Sequence, residues 1–334
     1  MKILVTGALG FVGSNLAVLF SKDVKNEVTA VDNRSKILGS DQNLKVITAA
    51  GAIFKYVDIR NQNDVEQLFQ ENHFDVILHM AAQVAFKVSV ETPRIDFEIN
   101  ALGTFNLLEA TRTYSKNAIF VYASTNQVYG ALEHVNMVET AKRFDFEDLS
   151  NGVPEEFPLD FLSPYGCSKG AAEMYVRDYA RVYDMNTVVT RFGGIYGTGQ
   201  YSYVDHGWVS FICEMVLNDK AFKRFGHGKQ VRDILFITDI ESAILKVIQR
   251  IDHVKGEAIN IAGGKDNSIS VLELLDILER LTGNKEKSQM QPMRKADKLV
   301  MYLDISKAEK LLKWKPAVDK QTGLKKMLEW LANK

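Results

Sequence analysis

Apolar residues along this chain fall into two patterns that alternate. Short, nearly continuous apolar runs occupy residues 2–6, 27–31, 53–57, 75–79, 118–122, 187–190 and 258–261. Runs of this kind predict strands buried on both faces. Between them lie stretches with helical spacing, at 14–21, 61–70 and 93–114, the last marked by Phe97, Ala101, Phe105 and Leu108. Strand and helix in alternation predict an α/β protein built on a doubly wound parallel sheet. Further helices are expected over 208–217, 240–251, 271–281 and 322–331. Residues 131–162 show no period, carry many acids and two prolines, and read as a long loop or lid.

The turn after the first strand sharpens this picture. Ile3-Leu4-Val5 leads at once into Gly7-Ala8-Leu9-Gly10-Phe11-Val12-Gly13 and then into a helical stretch. Three glycines at that spacing permit a tight turn, close approach of backbone to a pyrophosphate and close packing of helix on strand. Asp32 ends the second strand about twenty residues later, where an acid accepts hydrogen bonds from a ribose and repels a 2'-phosphate. A Rossmann-type domain that binds NAD is expected, with Asn33 beside the acid. Arg34 leaves NADP open, since an arginine there can meet a 2'-phosphate. Asp58 and Ile59, at the third strand's end, are placed to meet the adenine, and Ala81, Ala82 and Gln83 end the fourth strand with residues that let a cofactor lie close. His79 reads as a packed strand-end histidine. Residues 1–190 are assigned to the cofactor domain, completed near 235–262, and 191–334 mainly to a smaller mixed α/β substrate domain.

The candidate chemistry lies in Ser163-Pro164-Tyr165-Gly166-Cys167-Ser168-Lys169. Serine is a good N-cap and proline a good first helical residue, so a helix should begin here. Tyr165 and Lys169, four apart, then share a face. A tyrosine titrates near 10, and a neighbouring ammonium with a cationic ring would favour its phenolate as a general base. An ordinary amphipathic helix has the same spacing; the elements before it single this one out. Ser124 and Thr125 end the fifth strand within the same order.

Composition removes other classes. The chain of 334 residues is 46% hydrophobic and 25% charged, with a net charge of -1. That balance gives no reason to expect nucleic acid or an anionic membrane as partner. The basic cluster 220–229 reads as a solvated face. Cys167 and Cys213 form neither a metal-ligand spacing nor a disulfide framework, so no metal is expected and a reducing cytoplasm fits. No leader or membrane-length apolar run is visible.

With the glycine turn, Asp32, Ser124-Thr125 and Tyr165/Lys169 in one order, the chain resembles an extended short-chain dehydrogenase/reductase of the nucleotide-sugar epimerase and dehydratase group. Residues 96–100, 163–172, 178–189, 205–209 and 228–233 carry the likeness, toward the branch that inverts carbon 2. The resemblance implies that Gly7, Gly10, Phe11, Val12, Asp32, Asn33, Asp58, Ile59, Ala81 and Asn100 line NAD. It implies that Thr125, beside Ser124, bonds the reacting hydroxyl, that Tyr165 exchanges its proton, and that Lys169 holds the nicotinamide ribose. Arg232 would grip a substrate diphosphate, with Asn126, Gln200, Trp208, Gln230 and Tyr302 as further pocket candidates; for Trp208, core packing is an equal reading. Dehydratases of the group carry an acid pair after the threonine, where this chain has Asn126 and Gln127. Amides cannot exchange the protons of water elimination, so epimerisation is expected. Carbon 4 is the alternative site, and a nucleotide-binding protein without turnover a rival. Gln127, Gly193, Gly194, His206 and Lys298 depart from the group's residues. A homodimer or higher homo-oligomer is implied, with helices around 93–114 and 165–182 at its interface.

Overall fold

The computed structural model describes residues 1–36, 38–201, 207–293 and 297–334; His206 lies outside them. The chain runs β1 (Lys2–Thr6), α1 (Phe11–Ser21), β2 (Glu27–Asp32), α2 (Ser40–Ala49), β3 (Ile53–Tyr56), α3 (Gln62–Glu71) and β4 (Val76–His79). Next come α4 (Phe86–Glu91), α5 (Pro93–Asp96), a π-helical segment (Phe97–Leu102), α6 (Gly103–Tyr114) and β5 (Ile119–Thr125), which ends in a 3-10 turn (Asn126–Tyr129). A hairpin of β6 (Met137–Glu139) and β7 (Phe144–Phe146) precedes α7 (Pro164–Tyr183), β8 (Asn186–Phe192) and β9 (Gly194–Tyr196). Then follow α8 (Trp208–Leu217), β10 (Phe222–Phe225), β11 (Val231–Phe236), α9 (Ile237–Gln249), α10 (Ile251–Val254) and β12 (Ala258–Ile261). The chain closes with β13 (Ser268–Ser270), α11 (Val271–Thr282), β14 (Ser288–Gln291), β15 (Val300–Met301), α12 (Ser306–Leu312) and α13 (Lys320–Ala332).

All seven apolar runs are strands of one sheet, ordered β12-β8-β5-β4-β1-β2-β3 and parallel throughout. Their continuous hydrophobicity has a simple cause. Alternate residues serve two cores: Ile3, Val5, Leu78 and Val121 pack with Leu16, Ile240 and Ile244, while Leu4, Ile77, Phe120 and Tyr122 pack with Leu68, Leu107 and Val176. A second, smaller sheet centres on β11, paired with β9, β13 and β15, and β10 pairs with β14 nearby.

Three stretches differ from expectation. The helix expected over 93–114 is interrupted by the π segment, whose wide turn carries the buried Asn100. Residues 131–162 contain the β6/β7 hairpin, pinned to the second lobe where Phe144 N–H donates to Lys229 O (3.0 Å) and Tyr302 Oη to Asp145 Oδ1 (2.9 Å). Strands of three residues hold too few alternations to show a period. The helix α2 and several short strands after residue 192 show no period for similar reasons, α2 because it is largely polar.

Gly13 is required by the packing of α1 on the glycine turn, because a Cβ there would lie 2.2 Å from Gly7 O. Gly13→Ala is therefore expected to lower the unfolding free energy by about 1–3 kcal/mol, read from the urea midpoint at unchanged slope.

Candidate active site

One cavity of about 1010 Å³ opens at the carboxyl ends of the sheet strands and extends between the two lobes. On its sheet side it is lined by Gly7, Gly10, Phe11, Val12, Asp32, Asn33, Asp58, Ile59, Ala81, Ala82 and Gln83. Gly7 has a φ of +64°, and a Cβ on it would lie 2.7 Å from Ala81 N and Cα. Only glycine lets these two backbones meet. The first turn of α1 has neither a side-chain cap nor an acid, so its amide donors face the cavity without a competing anion. Asp32 accepts from Leu9 N–H (3.1 Å) and Arg34 N–H (2.7 Å), one on each oxygen, which leaves lone pairs for a ribose. Burial raises its pKa and these two bonds oppose the rise. Asp58 is held down near 2 by the Arg60 side chain, with further help from Asn33. The uncapped helix start, the glycine cradle and the strand-end acid fit a dinucleotide.

Arg34 and Asn100 are not in the cavity wall. The Arg34 guanidinium pairs with Asp41. Asn100 instead clamps the wall: it accepts from Gln83 N–H (2.9 Å) and donates to Gln83 O (3.1 Å) and Ser168 Oγ (3.0 Å). His79 is also structural. Thr104 Oγ1 already donates to Asn100 O (2.6 Å), so it accepts from His79 Nε2 (2.9 Å), and Nδ1 accepts from Thr6 Oγ1 (2.7 Å). Thr6 in turn accepts from Ala81 N–H (3.2 Å). Burial keeps this imidazole neutral.

The helix α7 begins as its sequence requires, with Ser163 Oγ accepting from Gly166 N–H (3.1 Å) and Pro164 in the first turn. Tyr165 and Lys169 both line the cavity, beside Ser124, Thr125 and Asn126 from the end of β5. The Thr125 side chain acts on the Tyr165 phenol from the end of β5. Burial nevertheless pushes Tyr165 up to about 12, eased by Thr125 and reinforced by Asp96. Burial lowers Lys169 to about 7, opposed by Glu173, and its Nζ lies 4.2 Å from the Tyr122 ring centroid. The expectation that the lysine tunes the tyrosine downward is thus corrected for the polypeptide alone: desolvation favours the neutral form of each.

On the second lobe the wall includes Gln200, Trp208, Gln230, Arg232, Asp297 and Lys298. Arg232 donates to Val231 O (2.7 Å), Lys298 O (2.8 Å) and Asp297 Oδ1 (2.6 Å). Lys298 Nζ is buried, has no partner among the described residues, and is lowered to about 7 by burial, with Arg232 adding to the effect. Trp208, at the start of α8, both lines the cavity and packs on the core. Gln200 is braced by Ser210 and Ile195 O. Tyr302 is not in the wall; it is fully buried in the core under the hairpin, where it holds Asp145. Gly193 and Gly194 are demanded by Asp233, since a Cβ on Gly193 would lie 2.5 Å from Asp233 Oδ1 and one on Gly194 2.6 Å from Asp233 O.

The basic cluster 220–229 is not a solvated face throughout: Phe222, Lys223, Arg224 and Phe225 line the cavity from β10. The two phenylalanines interleaved with cations were the available signal. Among the described residues no helix is long and apolar enough to cross a membrane.

A Rossmann sheet, a dinucleotide cradle and a Tyr-Lys helix in one cavity define an NAD-dependent short-chain dehydrogenase/reductase of the extended type. Comparison with known proteins agrees. The family model described as GDP-mannose 4,6 dehydratase matches residues 4–327. CDP-paratose 2-epimerase of Salmonella typhi is 41% identical over the whole of both chains. A putative UDP-glucose 4-epimerase of Methanocaldococcus jannaschii is 31% identical over 99% of this chain and 98% of that protein. Among solved structures, UDP-glucose 4-epimerase from Thermotoga maritima with UDP-glucose superposes with a TM-score of 0.87 at 30% identity, covering 100% of this chain and 99% of that one. The chain belongs to this family of NAD-dependent nucleotide-sugar epimerases and dehydratases.

Lys298 titrates near 7 in the folded chain against 10.5 ordinarily. Between those values the unfolded chain binds the extra proton, so stability rises with pH across that window and the cost of the buried charge is complete below it. Lys298→Met should therefore raise the urea stability, by about 1–3 kcal/mol near pH 6 and by less near pH 9. Equal gains at both pH values would show that charge is not the cause.

Proposed function

We propose that the protein is a nucleotide-diphosphate-sugar 2-epimerase of the CDP-paratose/CDP-tyvelose type. The observation that carries this reading is the 41% identity to CDP-paratose 2-epimerase from end to end, on a chain whose Thr125, Tyr165 and Lys169 line one cavity. NAD, when bound along the glycine turn, Asp32 and the Ala81–Gln83 wall, supplies the redox chemistry by taking a hydride from the sugar carbon and giving it back.

The remaining work falls to the chain. Tyr165 takes the proton of the sugar hydroxyl and later returns it, and Thr125 orients that hydroxyl. Lys169 in its charged form opposes the rise that burial imposes on Tyr165, so the phenol becomes a base only where positive charge gathers beside it. Arg232 and Lys298 offer cationic donors to a diphosphate, Arg232 with the planar fork that suits it. Asn126 and Gln127 cannot exchange protons, which disfavours dehydration. The sheet lobe serves the cofactor and the second lobe the nucleotide sugar, with residues 1–190 and 191–334 as the main division.

A carbon-4 reading draws on the 4-epimerases among the relatives and structural neighbours. The two are separated by NMR of CDP-, UDP- and GDP-sugars incubated in deuterated water with the protein as purified. Inversion at carbon 2 with its carbon-bound proton retained is the expected result. Inversion only at carbon 4 overturns the position, and deuterium at carbon 2 overturns hydride return. Tyr165→Phe should lower turnover by roughly 10²–10⁴-fold with NAD still bound; unchanged turnover would rule out the assigned proton carrier.

We also infer a homodimer. Phe97, Phe105, Met174, Tyr175 and Val182 leave an exposed apolar face across the π segment, α6 and α7, with the Phe105 and Tyr175 rings 5.5 Å apart. Sedimentation should give twice the chain mass of 37.6 kDa, reverting to one with Tyr175→Glu; a monomeric natural chain would contradict this.

A further inference from the structure

The inner face of α7 continues below the reacting pair. Tyr165, Lys169 and Glu173 follow at four-residue steps, so one stripe descends from the cavity into the core. Glu173 is fully buried, and so, to within 2%, is Arg191 of β8. The carboxylate receives Arg191 Nη2 at 2.5 Å and Nε at 3.1 Å, together with the hydroxyl of Ser124 at 2.9 Å. Arg191 is held in turn by Tyr129 Oη (2.8 Å) and Glu155 O (3.1 Å), and Tyr129 donates to Asn260 Oδ1 (2.7 Å).

We propose that Glu173 is a positioning residue of this site, the buried counter-ion of Lys169 one helical turn above it and the acceptor that fixes Ser124 at the end of β5. The proposal rests on Tyr165 and Lys169 being the reacting pair. The charged and titratable neighbours leave this role to Glu173. From β4, His79 is neutral; from β5, Tyr122 presents its ring face to Lys169 and burial keeps its phenol protonated. The Tyr129 phenol in the 3-10 turn is likewise raised by burial and lies against Arg191, and Arg191 from β8 is itself a cation. Asp96 of α5 acts on Tyr165, and Tyr165 is neutral by burial. Glu173 is the group that opposes the loss of the Lys169 proton to burial. Arg191 engages both oxygens of the carboxylate, Nη2 and Nε on Oε1 and Nε on Oε2. A buried Glu-Arg pair can also be purely architectural, and the two roles differ in what they do to pH dependence.

Turnover and thermal midpoint of the NAD-loaded protein are followed from about pH 5.5 to about pH 9 for the natural chain and Glu173→Gln, each with its Lys169→Met derivative. In Glu173→Gln the alkaline fall of turnover should move to lower pH by about one unit or more, the shift that one nearby opposite charge produces. The inflection in the midpoint difference between each chain and its Lys169→Met derivative should move down by the same amount. A uniform loss of turnover with both inflections unmoved overturns the proposal. The thermal comparison needs no substrate, so a natural chain without turnover would sink the epimerase reading and leave Glu173 decided. If Glu173→Gln does not fold with Arg191 unpaired, Glu173→Gln combined with Arg191→Met is read against Arg191→Met alone, so that only the Glu173 charge differs between the two chains.

Discussion

The ion pair of Glu173 and Arg191 joins more of the molecule than any bond in the cavity itself. It ties α7 to β8, and through Arg191 it reaches the 3-10 turn at Tyr129, the backbone at Glu155 and, one bond further, Asn260 in β12. Glu155 closes the circle by accepting from Asn260 N–H at 2.7 Å. A buried pair of this kind adds little net stability, because desolvation offsets its attraction, yet losing one partner costs about 3–5 kcal/mol. Its contribution is placement. It joins Ser124, at the end of β5, to α7 and β8.

The opposite wall is fixed by contact of backbone with backbone. Gly7 lies against Ala81, Gly13 against Gly7, and the 81–85 turn is held by Asn100, Asp96 and Thr6 rather than by packing of large side chains. The π segment belongs to the same construction, since it carries Asn100 to both Gln83 and Ser168 and so couples the cofactor wall to α7. The cavity therefore has one polar clamp on each side of the place where a sugar and a nicotinamide would meet.

The sequence displayed the sheet almost completely, because a strand buried on both faces is apolar at every position. The N-terminal cap of α7 was equally legible, since Ser163 and Pro164 act within one turn. What stayed hidden depended on distant partners. Nothing local in Tyr302 distinguishes a substrate contact from a core residue; its hydroxyl is spent on Asp145, 157 positions away. Asn100, matched to a cofactor contact by resemblance, is a clamp for Gln83 in the cavity wall. Phe222 to Phe225 read as surface because the cations dominate the composition, while pairing of β10 with β14 places the segment along the cavity.

The same dependence explains the electrostatics. Lys169, Arg232 and Lys298 are all cations whose charged forms burial disfavours, and each lines the one cavity. The folded chain meets that cost unevenly: Glu173 faces Lys169, Asp297 takes one arm of Arg232, and Lys298 has no partner among the described residues. Desolvated cationic donors attract anions, and at the Arg232 and Lys298 end of the cavity Asp297 occupies only one arm of Arg232. The paired end is suited to proton transfer, because a lysine poised near neutrality beside a phenol held near 12 can change the tyrosine's basicity with a small change in surrounding charge. Binding strength and acid-base chemistry thus arise from one physical cause, the removal of water from cations, and the acids Glu173 and Asp297 apportion it between the two ends.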